Sequence, residues 1–331
     1  MEALKHTVGL AGLGYWGPNL ARNLDEHLDV RLTWICDRDE QALARAASRF
    51  SEARYTTRFE DLLEDDSLQA VAIATPVVTH FELARQALLA GKHVFVEKPL
   101  ALSSTLGEQL VALAEERGLV LMPGHLLLYH PGVGKLKELV AAGDLGRLLY
   151  VYGNRQNLGQ IRRDENALWS LGAHDLSVIL HLVEEEPIEA WARGESFLNP
   201  GVEDVVFCYL RFPSGVVAHM HLSWLDPHKM RRMTVVGDRK MAVFDDMELE
   251  RKVTVYDKGP EQRADTWGEW QTRTGDISIP KVANDEPLRL ECEHFVQLLR
   301  GEGDRFTAAR EGLAVVRALE QLQASLERER V

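Results

Sequence analysis

Short apolar blocks alternate with polar, helix-spaced stretches through the first third of the chain. Thr7–Ala11, Val30–Cys36, Ala70–Ala74, His93–Glu97 and Leu119–Met122 read as buried strands, rich in Val, Ile and aromatic residues. Pro18–Leu28, Glu40–Phe50, Phe59–Glu64, Thr79–Ala90 and a segment running to Arg117 read as the helices between them. Ser103 or Ser104 is placed to cap that last helix and Gly118 to end it. Such alternation predicts a parallel sheet with right-handed crossovers, which binds ligands at the carboxyl ends of its strands. Beyond residue 148 the pattern changes. Leu148–Arg155, Ile188–Phe197, Val205–Phe212, Val216–Trp224, Met233–Val236, Met241–Phe244 and Val253–Tyr256 follow one another mostly without helices, so they predict an antiparallel sheet. Pro131–Ala142, a stretch through Leu176, Ile179, Leu180 and Val183, Glu286–Leu299 and Ala308–Glu327 carry helical spacing.

Composition narrows the partners. The 331 residues are 45% hydrophobic and 27% charged, which suits two globular domains. The net charge of −13, from 38 basic and 51 acidic residues, argues against a nucleic-acid or anionic-membrane surface but leaves room for a local basic pocket. Cys36, Cys208 and Cys292 are far apart and form no C-x-x-C pair, which suits a reducing cytoplasm. No basic-then-apolar leader opens the sequence, and no apolar run is long enough to span a bilayer. His125 and His130 have no accompanying cluster of ligands, so no catalytic metal is expected.

The candidate chemistry begins at Gly9–Asn19. Gly12 permits a tight turn, Gly14 lets backbone N–H groups approach a pyrophosphate, and Gly17 lets the helix pack closely on the sheet. Pro18 fits just inside the helix start. Asp37 lies about 20 positions further on, at the tip of the second strand, where a ribose hydroxyl is held. It could instead cap the helix that begins at Glu40. Asp37 favours NAD, while the adjacent Arg38 keeps NADP open. Ala74-Thr75-Pro76 and Glu97-Lys98-Pro99 fall at strand ends. Lys98 is either an exposed loop lysine or a desolvated ammonium that stabilises a developing alkoxide.

Gly12-Leu-Gly14-Tyr15-Trp16-Gly17, Ala-Thr-Pro and Glu-Lys-Pro, in this order, resemble the glucose–fructose oxidoreductase/inositol dehydrogenase (Gfo/Idh/MocA) family. The resemblance implies an N-terminal Rossmann domain over 1–123, a doubly wound parallel sheet. A C-terminal α+β domain follows over 124–331, with a large, mostly antiparallel, open-faced sheet. The last helix is expected to pack back on the first domain, and the open face to form a homodimer or homotetramer. Activity on a sugar or polyol with NAD(P) is implied, with Lys98 catalytic. Tyr15, Trp16, Thr75, Pro76, His80 and Glu97 would be cofactor-contacting, alongside the glycines, Asp37 and Arg38. His125 and Tyr129 belong to a segment that faces substrate.

The second half offers a proton acceptor. His174 lies four residues after Ser170, so the two share a face if that turn is helical. Histidine is the usual proton carrier near neutral pH, and a core or capping role is its plainer alternative. By the resemblance His174 occupies the family's relay histidine, while Ser170 stands where the family has aspartate. Asp175, or a substrate hydroxyl reached through Ser170, could substitute. Arg162 and Arg163 suit phosphate recognition or are surface charge. With the block from Trp169 to Asp175 they resemble the nucleotide-sugar branch. The expected activity is hydride transfer between a secondary hydroxyl of a sugar and nicotinamide. A nucleotide sugar such as UDP-N-acetylglucosamine, oxidised at C3, is the expected substrate. The alternatives are a keto-sugar reductase in deoxysugar synthesis and a cofactor-binding regulator without turnover.

Overall fold

The computed structural model describes residues 5–159, 161–163, 165–262 and 270–329. The chain divides into two compact units. One is Met1–Leu126 with Glu286–Arg317; the other is Leu127–Asp285 with Ala318–Val331. The first unit contains β1 (His6–Ala11), α1 (Gly17–Glu26), β2 (Val30–Cys36), α2 (Glu40–Ala47), β3 (Arg54–Thr56), α3 (Glu60–Leu63), β4 (Ala70–Ile73), α4 (His80–Leu89), β5 (His93–Glu97), α5 (Ser104–Arg117) and β6 (Leu121–Gly124). The second contains α6 (Pro131–Ala141), β7 (Leu148–Gln156), α7 (Ala173–Val183), β8 (Glu189–Glu195), β9 (Val205–Arg211), β10 (Val217–Ser223), β11 (Met230–Gly237), β12 (Met241–Asp245), β13 (Val253–Gln262) and β14 (Trp270–Ser278). Helices α8 (Pro287–Leu299) and α9 (Thr307–Glu329) close the chain. The first unit takes α8 and the start of α9; the second takes the remainder of α9.

The first sheet is parallel throughout, in the order β3-β2-β1-β4-β5-β6. Strand order reverses between β1 and β4, which opens the ligand crevice of a doubly wound sheet at their carboxyl ends. Val8, Leu10, Val71, Ile73, Val94 and Val96 are all fully buried, because helices cover both faces of such a sheet. Ser103 caps α5 by accepting from the Leu106 N–H, and Gly118 ends it in the left-handed conformation. On the other side of the unit, α8 is tied to α1 by Arg22–Glu286 and by His27–Glu293 at 2.9 Å. Strand β3 was not expected. It is three residues long, with Arg54 exposed and Tyr55 and Thr56 half-buried, so it lacks an apolar run.

The second sheet runs β14-β13-β12-β11-β7-β10-β9-β8, antiparallel except where β7 meets β10. The alternation of β9 and β10 separates two faces. Val206, Cys208, Leu210, Ala218, Met220 and Leu222 are buried, while Phe207 is half exposed and stacks on His221. Tyr150, Tyr152 and His219 stack on one another nearby. Strand β14 was also not expected: almost every residue in it is exposed, so it shows no hydrophobic alternation.

Candidate active site

The glycine loop joins β1 to α1. Gly12 has φ +99°, and a Cβ there would lie 2.5 Å from the Ala74 carbonyl oxygen. A Cβ at Gly17 would lie 2.0 Å from the Gly12 carbonyl oxygen. Both positions admit only glycine. A Cβ at Gly14 meets nothing within 4 Å, so this stretch of backbone faces open space. Helix α1 starts with no side-chain cap and no acidic residue in its first turn. Its positive dipole end therefore carries no acidic side chain of its own, which suits an anion such as a dinucleotide's pyrophosphate. Tyr15 is 91% exposed beside the loop, and Trp16 is half-buried.

Asp37 follows β2. Its Oδ2 accepts from the Leu13 N–H at 2.5 Å and its Oδ1 from the Asp39 N–H at 2.8 Å. The cap of α2 is Asp39, which accepts from the Gln41 N–H, so the capping alternative for Asp37 falls. Asp37 holds the glycine loop against the end of β2 while Arg38 stands exposed beside it.

His80 is buried, and each ring nitrogen lies 2.9 Å from a backbone carbonyl oxygen, Nδ1 from Pro99 and Nε2 from Thr75. Burial pushes its pKa down, while the two carbonyl acceptors pull it up, since both are satisfied only when both ring nitrogens carry protons. His80 thus ties the Thr75-Pro76 turn to the turn carrying Lys98. Thr75 and Thr79 share a hydroxyl bond of 2.7 Å.

Lys98 is half-buried just past β5. His125, which follows β6, is buried, with neither ring nitrogen hydrogen-bonded. Burial and the Lys98 charge push its pKa down to about 4, which keeps it neutral. Glu97 accepts from the Lys98 N–H at 3.3 Å and from the Trp16 side chain. Burial pushes the Glu97 carboxyl up to about 7 against the opposing Lys98 charge. The first unit therefore gathers its glycine loop, Glu97, Lys98 and His125 at the carboxyl ends of its strands.

In the second unit a π-helical turn, Leu168–Gly172, leads into α7. Such turns are uncommon and recur at functional sites. Ser170 and His174 are both half-buried, on either side of the join. Asn166 accepts from the Trp169 N–H and donates to Glu203 and Gln323; the Trp169 indole donates to Gln323 at 3.2 Å. Asp175 is buried, and its Oδ1 accepts from Arg155 Nε at 2.8 Å and the Arg155 guanidinium nitrogen at 2.7 Å. A Cβ at Gly153 would lie 2.8 Å from Asp175 Oδ2, so a glycine there makes room for the carboxylate. Asp175 and His174 are neighbours in sequence but point about 100° apart around the helix. Tyr129 is half-buried. Arg162 pairs with Glu165 at 2.9 Å, Arg163 is exposed, and Gln160 and Asp164 lie outside the described residues.

Arg155, Asn166, Gln323 and Glu291 were not singled out from the sequence. Each acts through a partner 20 or more residues away, or through burial, and no local spacing signals that. Among the described residues no three His, Cys, Asp or Glu are gathered to hold a metal, and no helix is long and apolar enough to cross a membrane.

The parallel sheet, the glycine loop and the uncapped α1 define an NAD-binding oxidoreductase fold. Residues 6–125 match the model of the oxidoreductase family with an NAD-binding Rossmann fold, and residues 133–243 match the GFO/IDH/MocA C-terminal domain. The chain belongs to the GFO/IDH/MocA oxidoreductase family. It is 26% identical over 321 residues to UDP-N-acetylglucosamine 3-dehydrogenase of Acidithiobacillus ferrooxidans, covering 97% of each chain. The solved structure of that enzyme aligns with TM-score 0.83 over 98% of this chain and 99% of its own, at 25% identity. GenD2 from gentamicin A biosynthesis, crystallised with NAD, aligns with TM-score 0.82 at 26% identity over 99% of this chain and 96% of its own. The chain is 33% identical to dTDP-3,4-didehydro-2,6-dideoxy-alpha-D-glucose 3-reductase of Streptomyces antibioticus, over 59% of this chain and 61% of that enzyme.

Proposed function

We propose that the protein oxidises a secondary hydroxyl of a nucleotide sugar with NAD, UDP-N-acetylglucosamine at C3 being the foremost substrate. The observation that carries this reading is Lys98, an ammonium at a strand end beside neutral His125, next to Glu97, whose side chain meets Trp16 of the glycine loop. Lys98 donates a hydrogen bond to the hydroxyl oxygen and stabilises the alkoxide as it develops. His174 accepts the hydroxyl proton at a ring nitrogen. When bound, the nicotinamide supplies the acceptor for the hydride. Ser170 carries no charge, so His174 works without a carboxylate at that position. Trp169, Tyr129, Arg162 and Arg163 are assigned to the sugar and its diphosphate. Similarity to the 3-dehydrogenase over 97% of the chain supports this substrate class.

The test is incubation with NAD or NADP and a panel of nucleotide sugars, following absorbance of the reduced cofactor and fixing the keto position by NMR. Reduction of NAD by UDP-N-acetylglucosamine with a keto group at C3 is the expected result. Absence of reduction with every member of the panel would overturn the reading. Partial similarity to the 3-reductase favours a second reading, in which the same residues run in reverse on a keto sugar. Oxidation of NADPH by a keto nucleotide sugar, with none of the forward reaction, would select it.

A further inference from the structure

Glu291 stands on α8, far in sequence from the motifs that mark the cofactor crevice. It is fully buried, and neither carboxylate oxygen has a hydrogen-bond partner. An ionised carboxylate in that position carries a desolvation cost that nothing offsets, whereas the neutral acid has a proton to share.

Register shows what Glu291 faces. Phe295, one helical turn further along α8, meets Phe95 edge-on with ring centroids 5.7 Å apart. Phe95 and Glu97 are two apart on β5 and therefore share one face of the sheet. The Phe295–Phe95 and Glu291–Glu97 pairs lie side by side, with α8 running opposite to β5. Glu97 Oε1 is shut off from solvent and has no hydrogen-bond partner either. On its far side Gly124 leaves little room: a Cβ there would sit 3.3 Å from Glu97 Oε2.

The charged and titratable surroundings are few. Lys98 follows Glu97, and neutral His125 follows β6. On α8 the neighbours are the buried Cys292 and, at its start, Glu286, which is paired with Arg22 of α1. Burial and the Glu97 charge act on Glu291 in the same direction.

We propose that Glu291 is held as the neutral acid and shares its proton with Glu97, making it the positioning residue that fixes the Glu97 carboxylate between Trp16 and Lys98. Burial and the Glu97 charge both raise the Glu291 pKa, which agrees with this assignment. The pair then carries one negative charge. Two charges would tighten the hold of Lys98 on its proton, and none would loosen it. Only this last consequence rests on the proposed role of Lys98 in polarising a substrate hydroxyl.

The experiment uses the intact protein without substrate. Infrared difference spectra of wild type against Glu291→Gln, recorded at about pH 8.5 where Glu97 is ionised, should show one carboxylic-acid carbonyl band that the variant lacks. Against Glu97→Gln the band should persist. In parallel, urea midpoints are followed from about pH 5 to about pH 9. Both folded-state pKa values are raised, so folding binds protons and the stability the acids contribute is lost as pH rises above the unfolded value. The wild-type midpoint should therefore fall progressively below that of Glu291→Gln. A wild type with no acid band, a band that survives in Glu291→Gln, or midpoints that run parallel would overturn the proposal. Because neither readout uses turnover, an active Lys98→Met protein would remove the proposed role of Lys98 and leave the carboxyl pair standing.

Discussion

Gly12 and Gly17 hold the first unit's loop through backbone carbonyls, those of Ala74 and of Gly12 itself, whereas Trp169 and Asp175 are held by side chains from elsewhere in the second unit. The glycine loop is shaped by carbonyl oxygens that would meet any Cβ at 2.5 and 2.0 Å. The π-helical turn before His174 depends on Asn166 and on Gln323, which lies more than 150 residues further along the chain. Asp175 depends on Arg155 of β7. A backbone-built site tolerates almost no change at its glycines but is indifferent to much of the remaining sequence. A site built by side chains spreads its dependence over many positions, each of smaller effect.

The comparison can be broken most decisively at the loop. Gly17→Val should weaken NADH binding by at least about 100-fold, read by fluorescence titration, because the helix start and the loop cannot both keep their places. Binding within a few-fold of wild type would show that the loop is not backbone-limited. In the second unit, His174→Ala should lower kcat by about 10²–10⁴ and leave NADH affinity unchanged. A matching loss of NADH affinity would instead assign His174 to the cofactor. Asp175→Asn leaves the buried Arg155 charge without its counterion and should cost about 3–5 kcal/mol of stability, seen in the urea midpoint. A change under about 0.5 kcal/mol would mean that the pair is not what anchors α7 to β7. The smallest effect is expected from Ser170→Asp. A carboxylate near His174 favours the imidazolium, so the acid limb of the pH–rate profile should move up by about one unit. An unmoved limb would separate position 170 from His174.

The same contrast explains what could be read from the sequence. The first sheet was legible because its central strands are buried on both faces and read as apolar runs. Its glycine spacing and Asp37 also sit in one short segment. Even there β3 escaped notice, and the capping alternative to the ribose-holding reading of Asp37 was removed only by the structure, where Asp39 is the cap. In the second sheet the strands with a buried face were visible by alternation, while β14, almost entirely exposed, was not. His174 and Ser170 were singled out by their spacing of four together with the family resemblance. The Arg155–Asp175 pair, the Asn166–Gln323 link and the Glu97–Glu291 pair could not be found that way, because each arises only when the fold brings distant strands and helices together.

Lys98 bears the central claim, and one paired measurement addresses it directly. Wild type and Lys98→Met are compared for NADH binding and for NAD reduction with UDP-N-acetylglucosamine. The expected outcome is turnover lowered by about 10³-fold or more with NADH affinity preserved within a few-fold. Undiminished turnover in Lys98→Met would contradict the assignment of Lys98 to the reacting hydroxyl.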